Sequence, residues 1–98
     1  MDVNVDESKG KLGSVLKLLR IANNMSVKEL AEKMDVSTTY ITEVEANNKN
    51  PSLNTLTKYS IALGVSRSSI LYFDEEGSKN GYNYQELLLK ILQAIVKK

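Results

Sequence analysis

The chain has 98 residues, 42% of them apolar, and a formal net charge of +1. That length suits one domain with a modest core and leaves little room for a second. Cysteine and histidine are both absent, which excludes disulfides and thiolate metal sites and removes the commonest general base and metal ligand. No apolar run reaches the length of a membrane span, and the N-terminus is acidic where a secretory signal is basic, so a cytoplasmic protein is expected.

The periodic segments are helical and none alternates as a strand does, so the expected fold class is all-α. Residues 1–8 carry Asp2, Asp6 and Glu7 without periodicity and read as a disordered acidic tail. The functional alternative is an acidic arm folded over a basic face. The domain body is expected over residues 9–76. Its first helix runs from Lys11 to Asn23, with Leu12, Leu16 and Leu19 facing the core at i, i+4 and i+7. Val15, Leu18 and Ala22 form a second stripe beside the first. Either the core wraps further round this helix or another helix covers the stripe. Asn23 and Asn24 suit the helix end, because asparagine tolerates a left-handed C-cap.

Ser26 to Pro51 reads as two short helices joined by a tight turn. Ser26 and Glu29 make a capping box, S-x-x-E, and Leu30, Ala31 and Met34 then share one face. Ala31 is the small residue where two helix backbones come close. Asp35 tolerates the left-handed turn, Val36 plugs it, and Ser37 caps the next helix. Ile41 and Val44 face inward at i and i+3. The outward side, Thr38, Thr39, Thr42, Glu43 and Ala46, lacks an apolar stripe and is rich in short hydrogen-bonding groups. A helix of that kind is suited to reading base edges in a DNA major groove.

Asn47, with its tolerance of positive φ, opens a polar loop that continues through Asn48, Lys49 and Asn50. Pro51 and Ser52 open a fourth helix to Leu63, with Leu53, Leu56, Tyr59 (or Ser60) and Leu63 inward and Gly64 as its C-cap. Ser66 caps a fifth helix through Ile70, Leu71 and Phe73. Tyr72 and Phe73 read as core or edge packing, not as a platform for bases. Residues 77–81 are a linker by composition. Residues 82–98 then form an amphipathic helix with a broad stripe of Tyr84, Leu87, Leu88, Ile91, Leu92 and Ile95. Such a stripe needs a cover. Pairing with its copy in a second subunit is the preferred expectation, and docking on Val15 and Leu18 of the first helix is the alternative.

Charge is unevenly spread. From Lys9 to Arg67 there are nine cations and five anions, a net +4. That predicts modest non-specific affinity for a polyanion.

These residues together resemble the helix-turn-helix of the Cro and phage-repressor family, the XRE-type regulators. The matching positions are Leu30-Ala31, the Val36-Ser37 turn exit, Ile41, Val44-Glu45 and Pro51-Ser52. Gly13 and Leu16 to Arg20 look like the family's first helix, and Leu53, Leu56, Ala62 and Leu63-Gly64-Val65 like its fourth. The match covers Leu12 to Phe73 with spacing unbroken. It implies a five-helix lambda-repressor-like DNA-binding domain, to which this chain adds its C-terminal amphipathic helix.

The resemblance also implies roles. Thr38, Thr39, Thr42 and Glu43 would face base edges, with Glu43 able either to accept from a cytosine amino group or to repel phosphates. Ser26, Lys28, Tyr40, Asn47, Asn48, Lys49 and Asn54 would supply phosphate contacts. Val27 stands where the family often has a phosphate-binding glutamine, and cannot do that work. Arg20 and Glu45 would pair as a structural unit, since a buried carboxylate needs such a partner. No arginine lies on the reading helix, so bidentate guanine contacts are absent from its face and A·T-containing sites or DNA shape are the expected preference.

The implied function is a dimeric, sequence-specific transcriptional regulator of double-stranded DNA, a repressor with a near-palindromic operator, read by helix 37–47. An antitoxin whose residues 74–98 contact a toxin is the alternative, and a protein–protein adaptor on the same fold is a third. Enzymatic activity is not expected, because the carboxylates are scattered, and no metal or cofactor is implied.

Overall fold

The computed structural model describes residues 12–72, together with positions 89 and 93, which are helical and exposed. The acidic tail 1–8, the linker 77–81 and the stripe residues Tyr84, Leu87, Leu88, Ile91, Leu92 and Ile95 lie outside the described residues. Within 12–72 there are five helices and no strand: α1 Leu12–Ala22, α2 Val27–Met34, α3 Thr38–Glu45, α4 Leu53–Leu63, and α5 over 67–72.

Each of the first four helices ends in the same way. One or two residues past the end the backbone turns left-handed: Asn24 (φ 58°), Asp35 (φ 58°), Asn47 (φ 63°) and Gly64 (φ 72°). The next N–H then reaches back five residues to a helix carbonyl: Met25 to Arg20, Val36 to Ala31, Asn48 to Glu43, Val65 to Ser60. This is the Schellman closure, which satisfies carbonyls the helix leaves unpaired. Asparagine, aspartate and glycine are the residues that tolerate the conformation. The starts are equally local. Ser26, Ser37 and Ser52 each accept the N–H three residues on, and Glu29 returns a bond to the Ser26 N–H to complete the capping box.

The core sits where α1 and α2 each pack against α3 and α4. Val15, Leu16, Leu19, Leu30, Ile41, Val44, Tyr59 and Ile70 are fully enclosed, and Ala31, Met34, Leu56 and Leu63 nearly so. Leu18 and Ala22 pack against the same cluster. The core thus reaches the second stripe of α1. Val36 seats against it from the turn.

One expectation changes, on α4. Leu53 is 65% exposed and does not face inward. The buried stripe of α4 is Leu56, Tyr59 and Leu63, and Leu53 lies roughly a quarter turn away from its centre at 3.6 residues per turn. Tyr59, not Ser60, takes the inward position; Ser60 instead bonds its hydroxyl to the Thr57 carbonyl at 2.7 Å. In α5 only Ile70 is buried, and Leu71 and Tyr72 are exposed.

Candidate nucleic-acid interface

The reading helix is fixed from behind. Arg20 on α1 grips Glu45 at the end of α3 with two bonds, Nε to Oε2 at 2.7 Å and Nη2 to Oε1 at 3.0 Å. Its third donor, Nη1, bonds the Met25 carbonyl at 2.9 Å in the α1–α2 turn. Both side chains are nearly buried, 11% and 7% exposed. A planar guanidinium satisfies both carboxylate oxygens at once, which is what a shielded charge pair requires. The pair thus joins α1, the first turn and α3. Tyr59 lies beside it, with its hydroxyl buried and without a hydrogen-bond partner. Burial, then the nearby Glu45 and Tyr40 charges, push the Tyr59 phenol far above its ordinary range, and only Arg20 pulls it down.

A second tie was not foreseen in the sequence. Asn47 Oδ1 accepts the Gly13 N–H at 2.9 Å, across 34 positions of chain. Gly13 is in the first turn of α1, where backbone N–H groups have no partner within the helix. A Cβ on Gly13 would lie 2.1 Å from the Val44 carbonyl oxygen. Only glycine permits α1 and α3 to approach this closely. The available signal was a glycine inside an otherwise apolar helix, which costs about 1 kcal/mol relative to alanine and usually has a packing reason.

With Ile41 and Val44 buried, α3 turns Thr38, Thr39 and Thr42 to solvent, and all three are exposed. Ser37 Oγ accepts the Tyr40 N–H at 3.0 Å. Glu43 is half-buried and paired: its Oε1 lies 3.3 Å from Lys49 Nζ. The same ammonium stands 5.7 Å over the Tyr40 ring. Tyr40 itself packs partly against the core. The loop is held to the helix end by Asn47 N–H to Val44 and Asn48 N–H to Glu43, both 2.9 Å.

The remaining candidate phosphate contacts lie at helix starts. Ser26 Oγ accepts the Glu29 N–H at 3.0 Å, which leaves its own proton to donate. Lys28 is exposed in the first turn of α2, and Asn54 in the first turn of α4. The oxygen of Asn47 is committed to Gly13, so its outward donor is the amide Nδ2. Among the described residues no three acidic side chains converge as a metal site would require, and no helix is long and apolar enough to cross a membrane.

Two short helices crossing through a left-handed turn, the second clamped from behind and presenting hydroxyls outward, define a DNA-binding helix-turn-helix domain. The chain belongs to the helix-turn-helix family of the XRE/Cro type, whose model matches residues 16–70. It is 36% identical over 67 residues to the control protein C.BamHI of Bacillus amyloliquefaciens, covering 67% of this chain and 83% of that one. It is 35% identical over 60 residues to the immunity repressor protein of Bacillus phage phi105, covering 61% of this chain and 42% of that one. The HTH-type transcriptional regulator SinR of Bacillus licheniformis is 35% identical over 71 residues, 71% of this chain and 64% of its own length. The fold matches a crystal structure of the clp gene regulator ClgR of Corynebacterium glutamicum with a TM-score of 0.68 and 31% identity, covering 88% of this chain and 90% of that one. The all-helical fold and the family are those of DNA-binding transcriptional regulators, not enzymes.

Proposed function

We propose that this regulator is a dimeric repressor that reads a near-palindromic operator with α3 in the major groove. The observation that carries the reading is the side of α3 that bears Thr38, Thr39 and Thr42. All three are exposed and hydroxyl-bearing, on a helix whose opposite side is locked by Ile41, Val44 and the Arg20–Glu45 pair. Short hydroxyls bond several base edges and touch the thymine methyl, so discrimination is spread over the three threonines. Ser26, Lys28, Asn48 and Asn54 donate to phosphates on either side, and these contacts set register without reading sequence. The likeness to a phage immunity repressor supports repression as the output, and a transcriptional role places the protein inside the cell. The stripe Tyr84, Leu87, Leu88, Ile91, Leu92 and Ile95 joins two subunits, and two copies of α3 then meet half-sites roughly 34 Å apart.

The test is selection from a randomised duplex pool at a series of salt concentrations, with the retained fraction sequenced. A two-fold-related motif is the expected result. Retention without any enriched motif would sink the operator reading. Light scattering on the same preparation should give twice the chain mass; a monomer at high micromolar concentration would remove the dimer.

A further inference from the structure

We propose that Lys49 is the counter-ion of Glu43, and not a phosphate contact: it neutralises the one carboxylate on the DNA-reading side of α3. This rests on the reading of α3 as the groove helix.

The sequence of α3, TTYITEVE, contains two carboxylates and no cation. Glu45 is taken by Arg20 from behind. Glu43 is left on the outer side with 44% of its side chain exposed. DNA carries one negative charge for about every 1.7 Å of its axis, so a bare carboxylate there is repelled. Nothing within α3 can neutralise it.

Lys49 comes from outside the helix and is held at two points. Its Nζ is 3.3 Å from Glu43 Oε1 and 5.7 Å from the Tyr40 ring centre. Tyr40 and Glu43 are three apart and lie on one helix face, so the ammonium spans a turn between an anion and an aromatic ring, which both attract it. The loop that delivers it is fixed by backbone bonds to Val44 and Glu43 and by the Asn47 side chain to Gly13. The loop geometry therefore returns Lys49 to α3. The pair is half exposed, so its own contribution to folding is small; its effect is on the charge of the reading surface.

The consequence is readable in salt dependence, because each phosphate neutralised adds about 0.9 to the slope of log affinity against log salt. Three proteins are compared on one mixed-sequence duplex: wild type, Glu43→Gln, and Glu43→Gln with Lys49→Ala. With Lys49 as counter-ion, Glu43→Gln frees the ammonium for a phosphate, so binding tightens and the slope steepens by about 0.9. The double variant then returns to the wild-type slope. If Lys49 already holds a phosphate, Glu43→Gln leaves the slope unchanged and the double variant falls about 0.9 below wild type; that outcome overturns the proposal. A wild-type protein with no salt-dependent binding to any duplex sinks the DNA reading itself, and is a different result from either. Thermal melts of the three should coincide, since both side chains are half exposed.

Discussion

Gly13 and Val44 approach so closely that no methyl group fits between them. A Cβ on Gly13 would stand 2.1 Å from the Val44 carbonyl oxygen, and the obstacle is backbone, which cannot swing aside. The start of α1 is thereby set against the end of α3. Gly13→Ala should therefore destabilise the domain although alanine is the better helix former. Overpacking of this kind costs about 1–3 kcal/mol and outweighs the gain of roughly 1 kcal/mol in propensity. The melting temperature should drop by several degrees; an unchanged melt would mean that α1 can slide.

Asn47 meets two demands at once, a left-handed backbone and an acceptor for the Gly13 N–H. Its variants should rank by how many demands they meet. Aspartate keeps both and should melt near wild type. Glycine keeps only the backbone, and alanine keeps neither and should be the least stable, by about 1–2 kcal/mol, the size of a lost cap with backbone strain added. Alanine melting above glycine would contradict this assignment.

The Arg20–Glu45 pair is shielded, so its two halves do not separate cheaply. Glu45→Ala leaves a guanidinium facing a site built for a carboxylate and should cost about 3–5 kcal/mol. Replacing both with apolar residues of similar size, Arg20→Met with Glu45→Leu, should recover much of that loss. Urea denaturation of the single and double variants tests this. Additive losses would show that the charges contribute independently.

Tyr59 buries a hydroxyl that finds no partner. Tyr59→Phe should therefore be neutral or stabilising, by about 1 kcal/mol. The raised phenol also sets a pH dependence. A group whose folded pKa lies above its unfolded value gives stability that is complete below the unfolded value and lost as pH rises towards the folded one. For Tyr59 that loss begins above about pH 10. Tyr59→Phe should remove this part of the alkaline destabilisation, so the two melting curves should diverge as pH passes upward through that point.

Thr38→Ala and Thr39→Ala should flatten the preference at particular operator positions while leaving non-specific affinity almost unchanged, because neither residue carries charge. Lys28→Ala should do the reverse. It should weaken binding to all sequences and lower the salt slope by about 0.9. Selections repeated with each variant separate the two patterns. A threonine variant with the wild-type motif would move the base-reading role elsewhere on α3.

What the sequence made legible was chiefly what is local. The caps at Ser26, Ser37 and Ser52, the left-handed stops at Asp35, Asn47 and Gly64, and the inward pair Ile41 and Val44 depend on residues within a few positions of one another. Leu53 departs from its expected place because a lone leucine in the first turn of a helix fits either edge of an apolar stripe, and only the position of Tyr59 fixes where the stripe is centred. The Gly13–Asn47 bond and the Lys49–Glu43–Tyr40 cluster were not foreseen. The first depends on the crossing of α1 and α3. The second depends on the path of the loop after α3, which composition does not specify.

The four left-handed helix ends also bear on time. Each stop is written in its own residue and closed by the next N–H, so each helix can form transiently and terminate in place on the scale of about a microsecond. What they wait for is the closing of longer loops, 25 positions for Arg20 to Glu45 and 34 for Gly13 to Asn47. We expect the apolar faces of α1 and α3 to meet first, and these two polar contacts to set only after the transition state. Variants at Arg20 or Gly13 should then speed unfolding and leave the folding limb of a chevron nearly unmoved. A chain weakened there would refold as promptly as before, and spend less of its time folded.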